Sequence, residues 1–283
     1  MDNLRGAVLM VLSMLGFALE DTFIKLTSDA LPVGQIIALL GAGGGAILAV
    51  ILLFQGRRLF SADMLSRPIL LRAVGEVTGT LCFVTAIVLT PISSASAILQ
   101  ATPLAVTLGA ALFLAEPVGW RRWSAIIVGF LGVLLIVRPG LEGFNALSLF
   151  AVAAVFGLAL RDLSTRKVPA SITSIQLSFL AFVVLIPAGL ALMLAQGTPA
   201  LMPAGREMLF LGAAMVIGVL AYYAIVAAMR VGEVSFVTPF RYSRMLFALV
   251  VGIVVFEESP DLLTLIGAAI IIASGVYTLL RES

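Results

Sequence analysis

The sequence contains no histidine and only one cysteine, and charged residues make up just 11% of its 283 residues. Without histidine, the chain cannot form His-based zinc sites, Ser-His catalytic pairs or histidine proton relays. Its lone cysteine, Cys82, cannot form a disulfide within the chain. Soluble domains carry about 25% charged residues, so the low charge argues against one. The basic residues are scattered in pairs and form no patch, which argues against nucleic-acid binding. We expect no metal site and no cofactor.

Hydrophobic residues make up 61% of the chain and occur in long runs without the alternation typical of barrel strands. A helix that spans a bilayer needs about 20 apolar residues, and charges, prolines and glycines divide the chain into runs of that length. The pattern predicts an all-α polytopic membrane protein with ten transmembrane helices. The predicted spans are 5–27, 33–54, 69–90, 94–115, 121–138, 146–167, 172–195, 206–229, 233–256 and 261–281.

One sequence pattern occurs twice, 141 residues apart. Residues 16–25 read GFALEDTFIK, and residues 157–166 read GLALRDLSTR. We therefore divide the chain into two five-helix repeats, residues 1–141 and residues 142–283. Because five is an odd number, the second repeat is inverted in the membrane relative to the first. Inverted repeats of this kind enclose the substrate site of many secondary transporters in a central cavity.

Basic residues fall mostly on one side of this predicted topology. If the N-terminus is cytoplasmic, the opposite loops hold only Arg138 and Arg206. The positive-inside rule therefore places both termini in the cytoplasm. The loops on the cytoplasmic side then hold Arg57, Arg58, Arg67, Arg72, Arg121, Arg122, Arg166, Lys167 and Arg230.

Ionisable residues within the spans cost about 2.5–3.5 kcal/mol each on insertion, so each needs a partner or a function. A first set lies at repeat-related positions of spans one and six, where an Asp precedes a basic residue by four positions on one helix face. Two interpretations are open: salt bridges at helix ends, or a pair of gates, one on each side of the membrane. The residues are Glu20, Asp21, Lys25, Arg161, Asp162 and Arg166, with Arg230 and Glu233 as candidate partners at the inner gate.

Span nine carries two arginines, Arg241 and Arg244, which share a helix face at depths of about 12 and 16 Å. Arginine at such a depth faces a cavity or an ionic partner. One arginine would bind a substrate carboxylate through its forked donors. Alternatively, the partner is structural and is Glu76 in span three. The arrangement that serves both roles pairs Arg241 with Glu76 and leaves Arg244 nearer the cavity.

Two prolines, Pro103 and Pro239, interrupt spans four and nine at repeat-equivalent positions. Proline kinks a helix because it removes an intrahelical hydrogen bond. Matched interruptions point to the substrate site of a transporter. Nearby polar and aromatic residues would suit a small amphipathic solute, although each could equally form a bond between helices. They are Thr78, Thr80, Gln100, Thr102, Thr107, Tyr222, Tyr223, Thr238, Tyr242 and Ser243.

The whole chain resembles the drug/metabolite transporter superfamily, in particular its EamA-type exporters. The likeness lies in the order and duplication of the motifs, including the Thr-Pro pairs and the acidic residues that end spans four and nine, Glu116-Pro117 and Glu257-Glu258. Within the family, the chain is most similar to the YddG-type aromatic amino-acid exporters of bacterial inner membranes.

This resemblance implies a basket of helices around a central cavity, with alternating access and the export of small metabolites, most of all amino acids with apolar or aromatic side chains. A drug carrier, or a carrier of another metabolite such as a nucleotide sugar, is the alternative within the same fold. We expect neither an enzyme nor a channel, since no Ser-Lys pair, paired-Asp constellation or filter loop is present. We also expect a monomer in the bacterial inner membrane. The cavity residues implied by the resemblance are Thr78, Gln100, Tyr222, Tyr223, Tyr242 and Arg244.

Overall fold

In the computed structural model, the described part of the chain is helical, with connecting turns. The structure describes residues 2–113, 119–138, 145–165, 167–169, 171–231 and 238–280. The α-helices are α1 (Asp2–Thr27), α2 (Val33–Phe54), α3 (Arg67–Leu89), α4 (Ile92–Leu99), α5 (Thr102–Phe113), α6 (Trp120–Val137), α7 (Ser148–Thr165), α8 (Ser174–Gln196), α9 (Gly205–Val231), α10 (Ser243–Phe256) and α11 (Leu262–Leu280). Two 3-10 turns, Ala62–Leu65 and Thr238–Tyr242, precede α3 and α10.

Seven segments among the described residues are long and apolar enough to cross a membrane. They are α1, α2, α3, the α4–α5 segment, α7, α8 and most of α9. Helices α6 and α11 contain shorter apolar stretches, and α10 has 14 residues. The chain is therefore an all-helical, multi-pass membrane protein, as the sequence predicted. Each predicted span contains a helix, whereas the count of ten spans and the inversion of the repeat stay predictions.

Contacts between turns define one end of the bundle, which we call end A. Gln35, at the start of α2, donates from Nε2 to the carbonyl of Leu201 at 2.5 Å and accepts from its amide at 2.9 Å. Arg138, just after α6, forms an ion pair with Asp261, just before α11. The hydrogen bond from Arg138 lowers the pKa of Asp261 to about 2, so this pair is ionised at neutral pH.

The opposite end of the bundle, end B, is held by a second set of turn contacts. Gln176, in the first turn of α8, donates to the carbonyl of Arg58 at 2.9 Å. Ser171 donates to the Asp63 carboxylate at 2.7 Å. These bonds join the turn after α2 to the turn before α8. Helices α2 and α8 therefore run antiparallel, with contacts of this kind at both ends.

The helices that pack most extensively are four pairs: α1 with α9, α2 with α8, α3 with α7, and α6 with α11. Each pair joins one helix from the first half of the sequence to one from the second half. The halves are therefore interleaved around a common interior, which lies where helices of both halves meet.

Glycine allows close backbone approach in these helix pairs. A Cβ atom on Gly34 of α2 would lie 2.6 Å from the Gly189 carbonyl of α8. A Cβ atom on Gly75 of α3 would lie 2.5 Å from the Arg161 amide nitrogen of α7. Helices in lipid associate through van der Waals packing, which small residues maximise.

Replacing Gly189 tests this packing. Gly189→Leu should lower the free energy of unfolding by at least about 1–3 kcal/mol, because the side chain would overlap the α2 backbone. Gly212→Leu, on α9, is the matched control, since no atom lies within 4 Å of the position that its Cβ would take. Thermal unfolding of the purified proteins in detergent measures both effects. Equal unfolding temperatures for the two variants would contradict this packing.

Candidate functional site

The interior contains a cavity of about 640 Å³ bounded by helices from both halves of the chain. It extends from Ile24, near the end of α1, to Ser174, at the start of α8. Its described lining comes from α1, α2, α3, α4, α5, α7, α8, α9 and the segment that begins α10. No described residue of α6 or α11 lines it.

Interrupted helices meet at the middle of this cavity. Helix α4 ends at Leu99 and α5 begins at Thr102, while a 3-10 turn precedes α10. The Gln100 side chain bridges the two interruptions, because its Nε2 donates to the Tyr242 carbonyl at 3.1 Å. Pro103 also lines the cavity. Non-helical backbone at membrane depth is tolerated where it is buried in protein or lines a cavity.

One ion pair crosses the cavity wall between α1 and α10. Arg244 donates from Nη2 to the Asp21 carboxylate at 2.7 Å. The guanidinium also stacks against two rings, with Phe17 at 5.2 Å and Phe83 at 5.1 Å from the ring centroids. The salt bridge and the cation–π contacts both stabilise the guanidinium at this position. Arg244 thus lies at the cavity, and its charge is already matched.

A second ionic cluster lies nearer to end B and centres on Glu76. Its carboxylate is 3.4 Å from Nη1 of Arg161 and 3.6 Å from Nη2 of Arg72. Arg72 also donates to the Tyr222 hydroxyl at 3.1 Å, and Arg161 lies 2.8 Å from Asp162. Two arginines and two carboxylates therefore neutralise one another on the α3–α7 pair.

This cluster corrects the predicted pairing of Glu76 with Arg241. Among the described residues, Glu76 forms ion pairs with Arg72 and Arg161 only. The cause is the close approach of α3 and α7 at Gly75, which brings Arg161 of α7 next to Glu76. Sequence reasoning missed Arg72 because it was counted with the loop residues. Its spacing of four residues before Glu76 is the signal that identifies it.

Other predicted site residues divide into three groups. Thr78 and Tyr223 face outward, Tyr223 with 65% of its surface exposed, which corrects their predicted place in the cavity. Each side chain points away because its neighbour in the helix, Gly79 or Tyr222, faces inward. Arg166 and Glu233 lie outside the described residues, as do the side chains of Arg230 and Pro239. The predicted residues that line the cavity are Glu20, Asp21, Glu76, Gln100, Pro103, Arg161, Asp162, Tyr222, Arg241, Tyr242 and Arg244.

Lys25 belongs instead to an ion-pair cluster at end A, which we call the end-A cluster: Lys25, Thr90, Ile92, Ser93 and Glu258. Lys25 Nζ lies 3.1 Å from Glu258 and donates to the Thr90 carbonyl at 2.9 Å. Glu258 also accepts from the amides of Ile92 at 2.6 Å and Ser93 at 3.1 Å. The Ser93 hydroxyl donates to it at 2.6 Å. Carboxylates are stabilised at helix N-termini in this way. The cluster ties the ends of α1 and α10 to the start of α4.

A multi-pass helical bundle with a charged and aromatic cavity at interrupted helices is the architecture of a membrane transporter. A model of the EamA-like transporter family matches residues 4–138 and again residues 146–280, and the chain belongs to that family. The family resemblance seen in the sequence is thus confirmed, including its duplication.

Several curated relatives are named transporters. The riboflavin transporter of Vibrio cholerae is 34% identical over 188 residues, which cover 66% of this chain and 62% of that protein. The S-adenosylmethionine uptake transporter of Rickettsia felis is 27% identical, with 77% of this chain and 74% of that protein covered. The pseudopaline exporter CntI of Pseudomonas aeruginosa is 28% identical, with 97% and 96% covered.

The fold also occurs in a known crystal structure. That structure matches with a TM-score of 0.63 at 20% identity, covering 95% of this chain and 96% of that chain. The names of these three relatives all describe transport. Those names concern riboflavin, S-adenosylmethionine and pseudopaline, so export of aromatic amino acids stays a prediction.

Removing the central carboxylate tests the Glu76 cluster. Glu76→Gln leaves two buried arginines with only Asp162 as a counterion. Losing one partner of a buried ion pair costs about 3–5 kcal/mol. Asp29→Asn is the control, because Asp29 is exposed at end A and belongs to no ion pair among the described residues. Unfolding in detergent should show a large loss for Glu76→Gln and almost none for Asp29→Asn. Similar stabilities would refute this role.

Proposed function

We propose that this chain is an alternating-access carrier that moves amino acids, or metabolites built from them, across the bacterial inner membrane. The observation that carries the proposal is a cavity, lined by both halves, that ends at different depths relative to the two ends of the bundle. At end B it reaches Thr165 and Ser174. At end A it stops below the end-A cluster, since Lys25 and Glu258 are not among its lining residues.

Ten spans in two inverted repeats, residues 1–141 and 142–283, are part of this proposal. The helix pairing supports it. A two-fold axis in the membrane plane that exchanges the halves would convert the α1–α9 pair into the α7–α3 pair, and would map α2–α8 and α6–α11 onto themselves. These are the four pairs that pack most extensively. With both termini in the cytoplasm, end B is the cytoplasmic end, and the basic residues Arg57 and Arg58 lie there.

Alternating access requires a closed gate at one side of the substrate. We assign that role at end A to the end-A cluster, because it joins three cavity-lining elements, α1, α4 and α10, beyond the cavity. Substrate leaving through end A must separate Lys25 from Glu258. The predicted gate at this side thus involves Lys25 with Glu258, while Glu20 and Asp21 lie deeper, at the cavity.

The cavity supports an amphipathic substrate. Charged groups from α1, α3, α7 and α10 share its wall with the rings of Phe17, Phe83 and Phe182. Small-molecule sites typically enclose about 300–1,000 Å³ and combine apolar walls with a few polar groups. An amino acid with an aromatic side chain fits this combination, and so does a larger metabolite that contains an amino-acid group.

A second candidate is a flat, uncharged aromatic metabolite such as riboflavin. The rings of Phe17, Phe83, Phe182 and Tyr222 on the cavity wall favour it, together with the name of the Vibrio cholerae relative. A drug or nucleotide-sugar carrier remains the broader alternative within the family. In the riboflavin case, the ionic groups of the wall would be structural, and removing one charge would not change substrate selectivity.

Counterflow in liposomes tests the function. Liposomes that contain the purified protein and are preloaded with one unlabelled solute should accumulate labelled phenylalanine, methionine or threonine without any imposed ion gradient. Transport should persist when a pH gradient is dissipated, as expected for facilitated diffusion. Riboflavin and S-adenosylmethionine complete the panel. Counterflow of riboflavin alone would replace the amino-acid assignment with the second candidate, and no counterflow by folded protein would refute both.

Cross-linking tests the gate. In a Cys82→Ser background, Lys25→Cys with Glu258→Cys, joined by a short bifunctional thiol reagent, should abolish counterflow, because α1 and α10 can no longer separate. A reductant that cleaves the cross-link should restore it. The matched control is Arg138→Cys with Asp261→Cys, an ion pair at the same end that joins α6 to α11 outside the cavity. Undiminished counterflow after cross-linking at 25 and 258 would contradict the assignment.

A further inference from the structure

The acidic and basic side chains of the described cavity wall are equal in number, so their formal charges sum to zero. The structure places four acidic and four basic side chains there, and these eight are the only charged residues of the described lining. They are Glu20, Asp21, Glu76, Asp162, Arg72, Arg161, Arg241 and Arg244.

Six of these eight charges are matched by direct contacts. Asp21 is bound to Arg244 at 2.7 Å. Glu76 contacts both Arg72 and Arg161, and Arg161 also lies 2.8 Å from Asp162. One acid and one base remain, Glu20 and Arg241. Within the described residues, neither of them forms an ion pair or a hydrogen bond.

Glu20 has no ion-pair partner among the described residues because a glycine faces it across the helix pair. The repeat relates Glu20 of α1 to Arg161 of α7. Arg161 faces Glu76 on α3, whereas Glu20 faces Gly218 on α9, and a Cβ atom there would overlap the carboxylate. The nearby charges are Asp21 on its own helix and Arg244 on α10, which neutralise each other. The two repeat-related positions therefore differ. Arg161 contacts an opposite charge in the α3–α7 pair, whereas Glu20 contacts none among the described residues of the α1–α9 pair.

Arg241 is the complementary case at the start of α10. Asp162 of α7 attracts it electrostatically but lies beyond ion-pair distance, and Asp162 is already bound to Arg161. Arg161 and Arg244 repel it. Its guanidinium lines the cavity with its donors unused by the described residues. A planar guanidinium with free donors matches a carboxylate through two parallel hydrogen bonds.

We infer that the cavity binds zwitterionic substrates, with a cationic group at Glu20 and an anionic group at Arg241. This inference rests on the proposed function and deepens it, because it names the charge pattern of the substrate and the two residues that bind its charged groups. Unmatched charge at membrane depth is costly, and a zwitterion matches both residues while keeping the site neutral. A singly charged solute would leave one of them unmatched.

This assignment differs from the sequence-based candidate for the carboxylate, Arg244. Arg244 is held by Asp21 and stacks against Phe17 and Phe83, so a substrate carboxylate would have to displace an existing ion pair. Arg241 binds without such displacement. Asp21 follows Glu20 directly in α1, and Arg244 follows Arg241 by three residues, so the pair joins the two elements that carry them.

Ligand-induced thermal stabilisation of the purified protein tests the charge pattern. The probes share a phenyl ring on a three-carbon chain and differ in their amino and carboxyl groups. Phenylalanine is zwitterionic, phenylalaninamide cationic, 3-phenylpropionate anionic and 3-phenylpropanamide neutral. S-adenosylmethionine is a larger probe that carries an amino-acid zwitterion. Wild-type protein should bind phenylalanine or S-adenosylmethionine at least about 10-fold more tightly than any single-charge or neutral probe, since hydrogen bonds to charged groups discriminate by that much.

Two variants test whether Glu20 and Arg241 bind the charged groups of the substrate. Glu20→Gln should abolish the preference for phenylalanine over 3-phenylpropionate, and Arg241→Gln should abolish its preference over phenylalaninamide. Asp29→Asn and Arg206→Gln remove the same charges outside the cavity and should change neither preference. If wild-type protein binds 3-phenylpropanamide as tightly as phenylalanine or more tightly, the inference is wrong. It is also wrong if both variants weaken the binding of all probes equally. The inference is equally wrong if no zwitterion stabilises the wild-type protein.

Binding and counterflow separate this inference from the proposed function. Zwitterions that bind with the expected preferences but show no counterflow would refute the carrier function and leave the binding site intact. Counterflow of riboflavin without binding of any zwitterion would retain a carrier and refute the charge pattern.

Discussion

The cost of placing charge inside a membrane is the constraint on which the interior of this protein depends. Four acidic and four basic side chains belong to the described lining of one cavity, and the contacts of most of them match opposite charges. The Glu76 cluster achieves this on the α3–α7 pair, and the Asp21–Arg244 pair does so between α1 and α10. Glu20 and Arg241 form no ion pair within the described part of the chain, and these are the two groups to which we assign the ligand.

Close helix packing makes this matching specific. Glycine at the α3–α7 crossing lets the two backbones approach until Arg161 and Glu76 come within 3.4 Å. On the α1–α9 pair, Gly16 packs against Ala221, and a Cβ on Gly16 would lie 2.8 Å from the Ala221 side chain. The same backbone arrangement therefore occurs in both pairs. The different side chains at equivalent positions, a glutamate in one and a glycine in the other, make one pair ionic and the other open.

Much of this architecture can be predicted from the sequence, because apolar run length and a segment repeated 141 residues later are visible in the chain itself. The helical class, the family and the involvement of Glu20, Asp21 and Arg244 could be predicted in this way. Pairing could not, since it depends on helix rotation: the sequence assigned Glu76 to Arg241, whereas α7 presents Arg161 to it. Rotation also decides that Tyr222 faces the cavity while Tyr223 faces outward. Successive residues point about 100° apart around the helix axis, and which of them faces the cavity cannot be predicted without knowing the packing partner.

In the carrier that we propose, substrate binding and gating would share two elements. Helix α1 carries Glu20, and Lys25 follows it little more than one turn later. The segment around α10 carries Arg241 before the helix and Glu258 after it. A zwitterion that bridges Glu20 and Arg241, as we propose, would therefore contact the same two elements that the end-A cluster holds together. The Asp21–Arg244 pair also joins α1 to α10.

In the carrier that we propose, contraction around the substrate and release of Lys25 from Glu258 would be coupled, because the same two helices carry both contacts. Ser13 donates to the Ala221 carbonyl at 2.7 Å, which ties α1 to α9. A substrate that lacks one charge engages only one of the two elements. Charge recognition would then set not only which solute binds but also whether end A opens, which is how binding energy in a carrier is converted into movement.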